Sequence, residues 1–206
     1  MLSVNEIQNL IQKHMKGEPA QIVSDWVQAH DKSLRKSHFD FDTTIEIANQ
    51  INSKGLEIDK VESYTLTTVR GRFGVLKVYL LRQDDLGDDI IQTTHGESGK
   101  FNMAFNLDGT FARELVAKAQ PFVIKEGSGT LESCPEYQKL LDEGFGVCVP
   151  LLRGTNNLKG VLVIGPKFNN QEYNEKDFIF LGMVADMVAI AMHNANLHEQ
   201  VQKQAT

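Results

Sequence analysis

No glycine or proline interrupts the sequence from Met183 to Thr206, and the apolar residues of this stretch fall on two stripes. A helix lying on a protein surface needs only one. Leu181, Val184, Ala185, Val188 and Met192 form the first, which suits the face of a sheet. Phe180, Met183, Met187, Ile190, Asn194, Leu197 and Val201 form the second, stepping by alternating threes and fours, the a/d spacing of a coiled-coil seam. A helix buried on two sides needs two partners. The second is either the N-terminal helices of the same chain or the equivalent helix of a second copy. Past Asn194 only polar residues flank Leu197 and Val201, which favours a parallel partner helix for the tail.

The sheet required by the first stripe is signalled just upstream. Val147 to Leu152 and Val161 to Ile164 are short, nearly continuous apolar runs suited to central strands, and TNN between them offers the positive-φ residues of a tight hairpin. After Pro166-Lys167 the polar NNQEYNEKD ends in a helix start. Asn174 can accept from the free N–H groups of the first turn, and Glu175 and Asp177 suit its positive end.

A chain of 206 residues can bury a sizeable core, as one large domain or an ordinary domain with an appendage. Its hydrophobic content of 41% and charged content of 23% mark it as globular. A net charge of -6, with the basic residues scattered, gives no electrostatic reason to expect nucleic acid or an anionic membrane as a main partner. The two cysteines, Cys134 and Cys148, are too few and too far apart in sequence for a disulfide framework or a metal ribbon, which points to a reducing compartment. The N-terminus MLSVNEIQNLIQ lacks the basic start and apolar run of a secretory signal, and no stretch approaches transmembrane length, so a cytoplasmic protein is expected.

Residues 1–40 read as an N-terminal helical extension, with two helical patterns broken at Gly17-Glu18-Pro19. DTTIEIANQINSK, capped by Asp42 and stopped by Gly55, predicts a further helix, and Ile58 to Phe73 another, ending at Gly74. Then the period changes. Val75 to Arg82 and DIIQTTHG predict a hairpin around an acidic turn, and FNMAFNL a third strand. Asp108 or Thr110 is expected to cap a helix from Phe111 to Ala119, and Ser133 a helix opened by Pro135. Helices, hairpin, small helices, strands and one long helix in that order make an α+β plan: terminal helices on one face of an antiparallel sheet, small helices and loops roofing the other. A roofed face is a natural place for a small-molecule pocket. The sheet and roof span 41–177 and the long helix 178–206.

Taken in order, IANQINSKGLEIDKV before VRGRFGVLKVYLLR, then LDGTFARELVAKAQPFVI, EGFGVCVPL, and LKGVLVIGPK before the helix ending HNANLHEQ, the chain resembles a GAF domain from roughly Asp42 to Gln204. That resemblance implies a sensory fold placed ahead of an output domain such as a diguanylate cyclase or a phosphatase. Cyclic-nucleotide-binding members carry an Asn-Lys, Phe, Asp-Glu signature; here stand Pro166-Lys167, Tyr173 and Asp177-Phe178, so the lysine and first acid are kept and the rest departs. Lys167 and Asp177 are thereby implied to be a structural tie.

The resemblance places a ligand between sheet and roof. Unpaired N–H groups at Phe111-Ala112 and at Ser133-Cys134 would suit a phosphate or carboxylate, and Arg113 would add a full charge or simply lie on the surface. Lys77, inside an apolar strand with Val75, Tyr79 and Leu81 on its own side by alternation, either meets an anion or snorkels at the edge. Thr94 and His95 stand where members place base-contacting residues, though His95 could equally sit in a solvated turn beside Gly96. Glu143, after Leu140 and Leu141, could accept from an amide edge or face solvent.

No nucleophile elbow, phosphate-binding Gly-Lys loop or metal-spaced His/Cys set is present in the sequence. The expected function is therefore a non-enzymatic sensor, needing no obligatory cofactor and no metal. It binds a small anionic ligand, cyclic AMP or GMP first, and signals as a homodimer through the helix residues Met183, Met187, Ile190, Asn194, Leu197 and Val201. The alternative is a ligand-free dimerisation module plugged by Tyr79, Phe101, Phe105, Phe111 and Phe145. A free-methionine sulfoxide reductase, an enzyme on this fold, would need several reactive cysteines.

Overall fold

The computed structural model describes residues 58–83, 90–96 and 101–204, without the side chains of 94, 95 and 195–204. All lie in the second of the two units into which the chain divides, Ile47–Thr206. The expected helices before Gly55 and the acidic turn at Asp84-Asp85 and Asp88-Asp89 fall outside the described residues.

Helix α1 (Ile58–Phe73) turns Ile58, Val61, Leu66, Val69 and Phe73 inward. It stops at Gly74, whose φ of 60° lets its N–H return to the Arg70 carbonyl at 2.9 Å. Strands β1 (Val78–Gln83), β2 (Ile90–Gly96), β3 (Ala104–Asn106), β4 (Phe122–Val123), β5 (Val147–Arg153) and β6 (Asn157–Ile164) form one antiparallel sheet in the order β3-β2-β1-β6-β5-β4. Helix α2 (Thr110–Lys118), a 3₁₀ turn (Gly129–Ser133) and helix α3 (Pro135–Asp142) lie between β3 and β5, and α4 (Glu175–Gln204) closes the chain. This is the expected α+β plan.

Alternation along the strands separates two cores. Val78 and Leu80 of β1, Val147, Val149 and Leu151 of β5, and Leu162 and Ile164 of β6 pack with α1 and with Leu181, Val184, Ala185, Val188 and Met192 of α4. Tyr79, Leu81, Cys148, Val161 and Val163 face the roof. Burial on both faces is why the central strands read as continuous apolar runs and not as alternating ones.

The helical core also holds an ion pair that the sequence reading did not single out. Glu62 lies on the inward face of α1 and Arg82 in phase with Val78 and Leu80; Arg82 Nε donates to Glu62 Oε1 at 2.5 Å with both side chains buried.

Several local expectations are corrected. The β5–β6 turn takes its positive φ, 66°, at Gly154, ahead of TNN. β1 begins at Val78; Val75 makes only an isolated bridge to Lys167 and packs on the helical side, so it does not share a side with Lys77. Gly109, extended at φ -69° and ψ 163°, caps α2 in place of Asp108 or Thr110. Ser133 is used up by the 3₁₀ turn, and Cys134 is the residue before Pro135 that enters α3. The part of α4 from Glu175 to Asn194 is long and apolar enough to cross a membrane by length and composition, against the expectation that no stretch approaches this. Half of that window is buried inside the protein, where its first stripe covers the sheet.

Replacing Glu62 by alanine removes the carboxylate that faces buried Arg82. Urea unfolding is expected to show a loss of about 3–5 kcal/mol, the usual cost of breaking a buried pair from one side. A loss under about 0.5 kcal/mol, typical of a surface change, would refute this assignment.

Candidate functional site

The space between sheet and roof is where a ligand is expected, and aromatic rings occupy it. Tyr79 enters from β1, Phe101 from the segment before β3, and Phe145 from the turn after α3. Their ring centroids are 5.1 Å (Tyr79 to Phe101), 5.8 Å (Tyr79 to Phe145) and 4.8 Å (Phe101 to Phe145) apart. Phe105 of β3 and Phe111 of α2 form a second edge-to-face pair at 5.0 Å. All five side chains are buried. Tilted and edge-to-face contacts at these separations are the favourable arrangement for aromatic quadrupoles.

Two lysines lace the rim of this cluster. Lys77 Nζ donates to the Glu143 carbonyl at 2.6 Å, with the Glu143 carboxylate 3.9 Å away and the Phe145 ring beneath at 5.8 Å. Lys139 of α3 donates to the Asn102 carbonyl at 2.6 Å and stands 5.8 Å from the Phe101 ring. One bond ties the end of α3 to the segment entering β1 and the other ties its middle to the segment entering β3. Beside the second, a groove of about 310 Å³ is lined by Asn102, Met103, Ala104, Pro135, Glu136 and Lys139, none of them an expected ligand contact. Asn102 and Lys139 were not identified because their contact joins residues 37 apart in the chain.

The expected contacts do not converge on one cavity. Phe111, Ala112, Cys134 and Leu140 are buried in the roof core. Arg113 is exposed, and its Nε and Nη2 donate to the Asp108 carbonyl at 3.0 and 2.7 Å. Ser133 is exposed at the end of the 3₁₀ turn. Lys77 and Glu143 face each other. Thr94 and His95 lie in β2, His95 paired with Leu80, and their side chains are outside the described residues.

Lys167 and Asp177 form a buried ion pair at 2.5 Å on the helical side. The ammonium also donates to the Glu172 carbonyl at 3.2 Å and lies 4.9 Å from the Tyr173 ring. Asp177 Oδ2 accepts from Asn174 N at 3.0 Å while Asn174 Oδ1 accepts from Asp177 N at 3.1 Å, a reciprocal box at the start of α4. Tyr173 donates to the Gly165 carbonyl at 2.7 Å, and burial, with Asp177 second, pushes its phenol up.

The thiols are poor nucleophiles. Burial, then Glu136 and Glu114, pushes the Cys134 thiol up, and full burial pushes Cys148 up strongly despite Lys118. No cluster of three or more His, Cys, Asp or Glu positioned for a metal occurs among the described residues.

No family model matches the sequence, and no curated protein matches it. Solved structures do. The chain is similar to the GAF domain of an Acinetobacter phosphoenolpyruvate-protein phosphotransferase (TM-score 0.57, 15% identity, covering 77% of this chain and 95% of that one). It is similar to the phycoerythrobilin-bound GAF domain of a cyanobacterial phytochrome (0.56, 20%, 78% and 97%). A third similar structure is free methionine-R-sulfoxide reductase from Neisseria meningitidis in complex with its substrate (0.56, 13%, 83% and 94%). The chain thus has the GAF fold, as the order of its sequence blocks implied.

A thiol reagent such as DTNB at neutral pH is expected to leave both cysteines of the folded protein unmodified and to titrate both in denaturant. Rapid modification of Cys134 in the native state would contradict its burial.

Proposed function

We propose that this chain is a non-enzymatic regulatory GAF module whose interior is filled by its own aromatic side chains, and that it acts through its long helix on an output domain of a signalling protein. The observation that carries this reading is the contact among Tyr79, Phe101 and Phe145, closed at the rim by Lys77 and Lys139. The two cationic groups best placed to meet an anion already have carbonyl partners. The buried thiols support the non-enzymatic part of the reading. A cyclic nucleotide, the ligand suggested by the resemblance, would have to displace rings packed at these distances and break at least one lysine bond. Such displacement costs free energy that a pre-formed pocket does not demand.

The test is thermal unfolding with cyclic AMP, cyclic GMP, other nucleotides and small carboxylic acids. No shift of the midpoint is expected. A ligand at a hundred times its Kd would stabilise the native state by about 2.7 kcal/mol, a rise of roughly 5–10 °C for a chain this size. A saturable rise with one compound would overturn the self-filled reading in favour of a ligand sensor. Phe145→Ala, which removes the ring touching both of the others, is expected to lower stability by about 3–5 kcal/mol. An unchanged midpoint for that variant would show that the cluster is not packed as described.

A further inference from the structure

The sheet ends on one side at β3, and the backbone there is only partly spent. Thr93 N–H donates to the Met103 carbonyl at 2.9 Å, Met103 N–H donates to Thr93 Oγ1 at 2.9 Å, and the register pairs Ile91 with Phe105 and Gln92 with Ala104. Bonded and non-bonded pairs alternate along an antiparallel ladder. Met103 and Phe105 therefore turn their amides toward β2, and Ala104 and Asn106 turn theirs outward.

Both ends of this outer edge are closed. Lys139 Nζ donates to the Asn102 carbonyl at 2.6 Å, and Gly109 N–H donates to the Asn106 carbonyl at 3.1 Å. Between them the N–H and carbonyl of Ala104 and the N–H of Asn106 have no partner among the described residues. A bare strand edge is a template for a further strand, and proteins blunt the edges they do not use, often with lysine. Here the lysine blunts one end and leaves the middle open.

The open stretch lies in a groove and not on a flat rim. Helix α3 stands beside it, so that Pro135, Glu136 and Lys139 face Asn102, Met103 and Ala104 across about 310 Å³. A second sheet brought to this edge would have to fit its own covering layer against α3, whereas a single extended chain has none. Side chains alternate along a strand. Met103 and Phe105 point under the roof while Ala104 is exposed, so a chain paired with Ala104 turns the residues on either side of that pairing toward α3. There they meet the ring of Pro135 and the carboxylate of Glu136, which has no hydrogen bond or ion pair among the described residues. Lys139, three residues on, spends its ammonium on Asn102.

We propose that the outer edge of β3 takes up an extended segment of another protein as an added strand, with an arginine or lysine beside the residue opposite Ala104 and paired with Glu136. Backbone pairing gives such a site its affinity, and the flanking groove gives it a choice of side chain. The site lies outside the aromatic interior, so a nucleotide-induced thermal shift would leave it untouched.

Selection of a random heptapeptide display library on the full chain is expected to enrich peptides with a basic residue and no central proline. Fluorescence anisotropy with an enriched peptide should show at least tenfold weaker binding to Glu136→Lys. Ala104→Pro deletes an N–H that the sheet does not use, a change an edge strand tolerates, and should abolish binding with the far-UV circular dichroism unchanged. Amide exchange followed by NMR needs no variant: the peptide should protect Ala104 and Asn106 and leave Phe105, already bonded to β2, as it was. No enrichment, equal binding to Glu136→Lys, or unchanged exchange at Ala104 would each overturn the proposal. Protection of Ala104 that grows with protein concentration in the absence of peptide would assign the edge to a second copy and overturn it as well.

Discussion

The architecture hangs on the ion pair between Lys167 and Asp177. Lys167 stands just past β6, where its backbone bridges to Val75; Asp177 sits in the first turn of α4. Because both groups are buried, neither can trade the other for water, and the rings of Phe73 and Tyr173 lie within 5.8 and 4.9 Å of the ammonium. The same carboxylate accepts the Asn174 N–H, so one side chain fixes both where the helix begins and how it leaves the sheet. From that point Leu181, Val184, Ala185 and Val188 fall on the strands in turn.

The two faces of the sheet are built from different materials. The fully buried part of the helical face is aliphatic apart from Phe73 and Phe180, with Tyr64, Tyr173 and Phe178 packed at its margin, and it is crossed by the Glu62–Arg82 pair. The roof face concentrates its rings, with Tyr79, Phe101, Phe105, Phe111 and Phe145 close together. Planar rings have few rotamers and fill a broad space with few side chains. A GAF-type interior can therefore be closed without adding an element, by the choice of residue at a handful of positions on β1, β3 and the segment before it, α2 and the turn after α3.

Much of this was legible in the sequence, and the parts that were not share a cause. Periodicity placed α1, the central strands and the sheet-facing stripe of α4, because burial on one side forces a repeat on the chain. Local chemistry identified Asn174 as the cap of α4. It misplaced the caps of α2 and α3, since Gly109 and Cys134 make no side-chain cap bond and leave no compositional mark. Glu62 could have been found: it follows Val61 on the inward face of a helix, where a carboxylate demands a partner. The Lys77 and Lys139 bonds could not, because each joins a side chain to a backbone carbonyl distant in sequence, and any residue has a carbonyl. The expected ligand contacts dispersed for a related reason. A helix start identifies free N–H groups but says nothing of whether the side chains beside them turn into the core, as Phe111, Ala112 and Cys134 do, or out to solvent, as Arg113 and Ser133 do.

The clamp at Asp177 also fixes an angle. Each residue of an α-helix advances by about 100° around the axis, so the direction in which Met183, Ile190 and Asn194 face is counted from that carboxylate. A single insertion between Asp177 and Met183 would swing the whole outer surface by more than a quarter turn while leaving the sheet and its roof intact. Changes of about 7, 11 or 18 residues, each within roughly 20° of a whole number of turns, would restore its heading. The number of residues between anchor and seam is thus itself a structural parameter, as binding on the chain as the identity of any one of them.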